Sequence, residues 1–254
     1  MKKYELLTND TVVHESGATL FRIRHLGTRR IGGYLESEEN LSQDGEAWVS
    51  DEAMVFGNAR VEGNAMVSGD ACIFEGARVF DNAQVSESSW VFGQAKVFGN
   101  AEIHHHAIIC GSANVFGETV VKGHSRISGR AVICERARVT AEAQVSGEAH
   151  IDGDARVSGE SRVKGNARIG GRAEVSDRAI VYGESELNGS ARVFGEAQVS
   201  GKAKMTGSSR VFGYARIGGQ VQLAENAWVF GNVELTAKER LAGNQHLSDS
   251  AESA

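Results

Sequence analysis

Four histidines are the residues whose types and spacing best suit chemistry. His104, His105 and His106 are contiguous in IHHHAI, and His124 follows His106 by 18 residues. A neutral imidazole is a ready zinc ligand, and one that titrates near neutrality is a general base. His106 and His124 are thus the candidate catalytic pair, and His104, His106 and His124 the candidate metal ligands. An exposed polar edge is the plainer account, since no third ligand stands at familiar metal spacing. Three cysteines, Cys72, Cys110 and Cys134, show no CxxC pattern and form no disulfide framework, so they read as free thiols in a reducing compartment. Arginines recur in the same 18-residue step: Arg138 with Arg156, Arg192 with Arg210, and Arg162 and Arg216 elsewhere. Guanidinium columns suit a phosphate or a nucleotide, but Glu and Gln interleave them, as at Glu174, which favours a solvated face of mixed charge.

The step of 18 comes from a repeat of six. From Val49 the chain reads VSDEAM, VFGNAR, VEGNAM, VSGDAC and onward without insertion or deletion through the hexad that opens at Leu247. All 34 first positions are Val, Ile, Leu or Met, 30 of 34 fifth positions are Ala, Ser or Thr, and 23 of 34 third positions are Gly. A period of six matches neither a helix nor a free strand; it matches one side of a solenoid with equal sides.

Each hexad then supplies a short flat strand and a corner. Alternation along the strand turns the first-position aliphatic and the preceding fifth-position small residue inward, and positions two and six outward. Glycine at position three gives the positive φ of a tight corner. Where Gly is missing, Asp51, Asp81, His105 and Asp177 are residues that tolerate that conformation. Three hexads close one triangular coil, so about eleven coils are expected, stacked at ~4.8 Å into a prism roughly 50 Å long.

The outward positions carry aromatic columns. Met54 and Phe56, Cys72 and Phe74, Trp90 and Phe92, Ile108 and Cys110 form an apolar strip on one face, and Phe80, Phe98 and Phe116 stand at the same heights on the next. The strip ends at Arg126 and Ser128, while Phe194, Phe212 and Phe230 form a third column on the remaining face. Stacked rings can simply shield their own strands, yet three such runs exceed what a soluble surface needs. Met54, Phe56, Phe74, Trp90, Phe92, Ile108, Phe80, Phe98 and Phe116 are therefore the candidate interface. Two adjacent apolar faces on a three-sided prism can close a ring of three copies.

Residues 1–46 read as a β-hairpin cap with its turn at Glu15-Ser16-Gly17, residues 47–237 as the solenoid, and 238–254 as a fraying coil with a polar tail. Fraying is expected after Leu235, because Glu239 and Gln245 occupy inward sites. Two lysines in MKKYELLTND precede no apolar stretch, and no run is long enough to span a bilayer. With a formal net charge of -6 and mixed signs, a nucleic-acid partner is not the default. A cytoplasmic protein is the expectation.

The pattern aliphatic, any, Gly, any, Ala or Ser, any resembles the hexapeptide repeat of the trimeric acyltransferase superfamily, whose members fold as left-handed β-helices. Residues 3–6 (KYEL), 31–34 (IGGY) and 39–49 (ENLSQDGEAWV) look like the lead-in of the YdcK-like hexapeptide-repeat transferases. The repeat covers about four-fifths of the chain. The resemblance implies an all-β, single-stranded left-handed parallel β-helix, a parallel homotrimer and, in an enzyme, acetyl-CoA in a groove between subunits. The superfamily also includes carbonic anhydrases that hold zinc on His between subunits. Such acyltransferases typically carry a catalytic His on a loop thrown out of the helix, whereas here no loop interrupts the hexads. The favoured expectation is a non-catalytic, self-associating scaffold or binding module that requires no cofactor. A coenzyme A-dependent acyltransferase and a zinc-dependent carbonic-anhydrase-like enzyme stand as alternatives.

Overall fold

A computed structural model describes residues 2–249. Residues 250–254, which hold most of the expected polar tail, lie outside the described range. The fold is a parallel β-solenoid. It falls into two compact units, Met1–His124 and Ser125–Ala254.

In the first unit, β1 (Tyr4–Val13) and β2 (Thr19–His25) form the expected hairpin, closed where Gly17 takes φ +88° and its amide donates to His14 at 2.8 Å. The hairpin is larger than expected and is joined by β3 (Ile31–Leu35). This strand pairs antiparallel with β2 and parallel with the first strand of the solenoid, Tyr34 opposite Met54. The Gly32-Gly33 pair allows that contact. A Cβ on Gly32 would lie 2.5 Å from the Val49 carbonyl oxygen, and one on Gly33 would lie 2.4 Å from that of Ala53. The lead-in to the repeat is equally tied down. Buried Asn40 donates to the carbonyls of Gly57 and Ala59 at 3.0 and 2.9 Å, and the Tyr4 hydroxyl donates to that of Leu41 at 2.7 Å. The cap therefore satisfies backbone groups that an open first coil would leave bare.

Beyond the cap, two-residue strands stack in three ladders at intervals of 18 residues. One runs Met54–Val55, Cys72–Ile73, Trp90–Val91, Ile108–Ile109; the second starts at Arg60–Val61 and the third at Trp48–Val49. Amides at positions two, four and six donate to the next coil, as Phe56, Glu52 and Met54 do at 3.0, 3.0 and 2.9 Å. First-position aliphatics such as Val55 and Val61, and fifth-position alanines such as Ala53 and Ala59, are fully buried, as the alternation requires. Three buried serines in the Ala column, Ser89, Ser161 and Ser185, turn their hydroxyls back onto the carbonyls of Ser86, Ser158 and Tyr182 at 2.8, 2.6 and 3.0 Å, which offsets the cost of a buried polar group; Ser125 and Ser209 make no such bond.

The second unit repeats this build in three ladders that start at Arg126–Ile127, Val132–Ile133 and Arg138–Val139. Corner residues at position three take positive φ, from +55° at Glu225 to +83° at Gly117, and those that replace Gly there are not confined to Asp and His: Glu75, Glu87, Glu135, Glu225 and Ala141 do so too. Hydrogen bonding accounts for four of the acids. Asp51, Asp81, Glu135 and Asp177 each accept the corner Gly amide one coil on, at 2.9–3.1 Å, so the side chain offsets the strain of its own backbone. At the far end, parallel pairing persists past Leu235 through Arg240–Leu241 and His246–Ser248. Burial does not persist: Glu239 and Gln245 are exposed where alanines elsewhere are sealed.

Candidate functional site

The histidine edge lies in the first unit. His106 and His124, on the same corner one coil apart, stack with centroids 4.7 Å apart and planes 12° from parallel. They open onto a recess of about 310 Å³ shared with Ser88, Trp90 and Ile108. His104 does not join them. Its Nδ1 pairs with the Ser86 hydroxyl at 2.9 Å and its Nε2 with Glu102 at 3.3 Å, while His105 faces Glu87 at 3.4 Å. The proposed trio of metal ligands is thus divided between a face and a corner. Among the described residues no group of three or more His, Cys, Asp or Glu side chains is gathered to hold a metal ion. What remains is an imidazole pair that, among the described residues, has no carboxylate paired with either ring to orient it, as a general base would want.

A second constellation escaped the sequence reading. In the second unit, His150 Nε2 lies 3.8 Å from Cys134 Sγ and 3.2 Å from Asp152 Oδ2. Cys134 and Asp152 occupy position two of successive coils and His150 position six between them, so spacings of 16 and 2 were the signal. The geometry does not make a catalytic relay. Both partners compete for the same ring nitrogen, whereas a relay uses one nitrogen for the nucleophile and the other for the acid. Burial, reinforced by the charges of Asp152 and Glu135, pushes the Cys134 thiol up to about 11, the opposite of what an activated nucleophile needs. Cys72, Cys110 and Cys134 are not joined in a disulfide.

The aromatic columns form as the repeat requires. Phe74 and Phe92 stack at 4.8 Å, Phe80 and Phe98 at 4.8 Å, Phe98 and Phe116 at 4.7 Å, and Phe194, Phe212 and Phe230 at 4.8 and 4.9 Å. One part of the candidate interface needs correction. The hairpin folds over the foot of the strip, burying Phe56 with Leu20 and Tyr34 and packing Met54 and Phe74 against that cluster. Phe56 is only 6% exposed and Cys110 also 6%, whereas Trp90, set edge-on to Phe74, is 47% exposed. The outward strip therefore centres on Trp90, Phe92 and Ile108, beside the half-buried Phe80, Phe98 and Phe116.

In the second unit a corner column, Arg136, Asp154, Arg172 and Ser190, runs beside a face column, Arg138, Arg156, Glu174 and Arg192, and the two line a recess of about 460 Å³. The sequence reading found the face column and missed the corner one, because hexad position four looks uninformative until it is set beside position six.

Fold and surface together define a parallel β-solenoid with an aromatic-faced first unit and an arginine-rich recess in the second. A comparison with protein-family models finds no match, and one with curated proteins finds none either.

Proposed function

We propose that this chain is a non-catalytic, self-associating β-solenoid, a scaffold or binding module that works as a parallel homotrimer. The exposed side of Trp90, continued by Phe92 and Ile108 and flanked by the Phe80, Phe98, Phe116 stack, is the observation that carries this reading. Rings stacked within a column cover one another's faces but leave their edges and the Trp90 indole to solvent. An apolar area on two adjoining faces is what soluble monomers avoid, and Trp and Phe are favoured anchors at interfaces. One face of each copy seated on the other face of its neighbour closes a ring of three. A left-handed coil and a trimer are both what the resemblance to hexapeptide-repeat proteins implies.

A specific observation favours a second reading. The His106–His124 stack opens onto the same recess as Trp90, so a neighbour seated on Trp90 would wall that recess, as coenzyme A-dependent acyl transfer between subunits would need. Incubation with acetyl-CoA, and separately with zinc, followed by native mass spectrometry and thiol release, separates the two. The expected result is an oligomer with no acetyl transfer and no zinc held through the imidazole pair. Turnover or stoichiometric zinc lost in a His106→Ala, His124→Ala variant overturns the non-catalytic reading.

A further inference from the structure

We propose that the arginine-lined recess of the second unit binds a diphosphate group. Five guanidinium groups, Arg136, Arg138, Arg156, Arg172 and Arg192, face it against two carboxylates, Asp154 and Glu174. That is a local balance of 5 − 2 = +3 in a chain whose formal net charge is -6. The carboxylates are already engaged. Asp154 takes Arg136 Nε and Nη2 at 2.7 and 2.8 Å, and Glu174 takes Arg192 Nε at 3.4 Å. Among the described residues Arg138, Arg156 and Arg172 form no ion pair. The hydrogen bond from Arg136, with the charges of Arg136, Arg172 and Arg156, holds the Asp154 carboxyl below its usual range, which fits a site with positive charge to spare.

Shape narrows the ligand. Arg138 and Arg156 lie directly opposite each other on adjacent coils, and Arg172 stands beside them on the corner column. Planar guanidiniums pair bidentately with phosphoryl oxygens, so successive coils can each grip one phosphoryl group of a diphosphate, with the Ser190 hydroxyl at the end of the recess as a further donor. The volume of about 460 Å³ exceeds one phosphate and leaves room for an organic substituent. A nucleic acid needs a long basic track; here the corner column turns to Ser190 and Ser208, and the arginines of the face column stop at Arg210, which lies 4.7 Å over the Trp228 ring. The site is thus sized for a small diphosphate, either inorganic pyrophosphate or a nucleoside diphosphate.

Titration calorimetry of the full chain with inorganic pyrophosphate and with ADP, repeated at raised salt, tests this. Saturable binding of one ligand per chain is expected, weakened about tenfold or more in Arg156→Gln, Arg172→Gln and in the single variant Arg138→Gln, and unchanged in Arg162→Gln, Arg216→Gln on another face. Equal affinities assign the site to the free diphosphate, and tighter ADP binding to a nucleotide. No saturable binding by either ligand, equal losses in the control pair, or displacement by single-stranded DNA with higher affinity per site overturns the proposal. Circular dichroism confirms that each variant is folded; these arginines are exposed and none supports the core.

Discussion

The ring of His14, at the turn of the N-terminal hairpin, lies 4.5 Å from the ring of Phe56, the lowest member of the first aromatic column. That contact makes the cap part of the solenoid's own packing, because Phe56 closes against Leu20 and Tyr34 on one side and stacks on Phe74 at 5.2 Å on the other. Truncating it as Phe56→Ala removes a buried ring at the junction, and a loss of about 3 kcal/mol is expected from the lowered denaturant midpoint. A loss too small to resolve would mean that the hairpin does not hold the first coil.

The prism interior allows little growth. Ala155 is fully buried in a column of alanines one coil apart, so Ala155→Leu should cost about 1–3 kcal/mol through overpacking and lower the melting temperature. An unchanged melting temperature would contradict the inward placement of position five.

The interior and its direction of stacking were legible in the sequence because position one and position five are set by burial, which selects residue type at every rung. Corner acids were half legible. Asp51 and Asp177 pointed to positive φ, but Glu135 did not, since the reach of its carboxylate to the Gly153 amide is a relation between coils. The folding of the cap onto Phe56 was hidden for a similar reason: Gly32 and Gly33 of β3 are required by a close approach to the Val49 and Ala53 carbonyls, which is a relation between the cap and the first coil. His104 was grouped with His106 by adjacency, although residues two apart here sit on either side of a corner, one held by Ser86 and Glu102.

Cys134 gives a pH-dependent prediction. Its thiol keeps its proton to about 11 when folded against an ordinary value of 9.0, so between those values the folded state carries more protons than the unfolded one. The stabilisation is complete below about pH 9 and declines as pH rises toward 11. Chemical denaturation across that window should show a falling midpoint that Cys134→Ala flattens. Iodoacetamide should label Cys134 slowly at neutral pH in the folded protein and rapidly after unfolding; rapid labelling of the native protein would contradict its burial.

Self-association through the Trp90 face is the central claim, and the mass in solution tests it most directly. Trp90 and Phe98 are the residues to change, since Phe74 also supports the cap and would confound the result. Multi-angle light scattering at micromolar concentration should give three times the chain mass of 27.1 kDa for the wild type. It should give the single-chain mass, with an unchanged circular dichroism spectrum, for Trp90→Glu, Phe98→Glu, which would bury carboxylates without partners in the interface. A monomeric wild type, or a double variant that keeps the wild-type mass, would contradict an assembly built on this face.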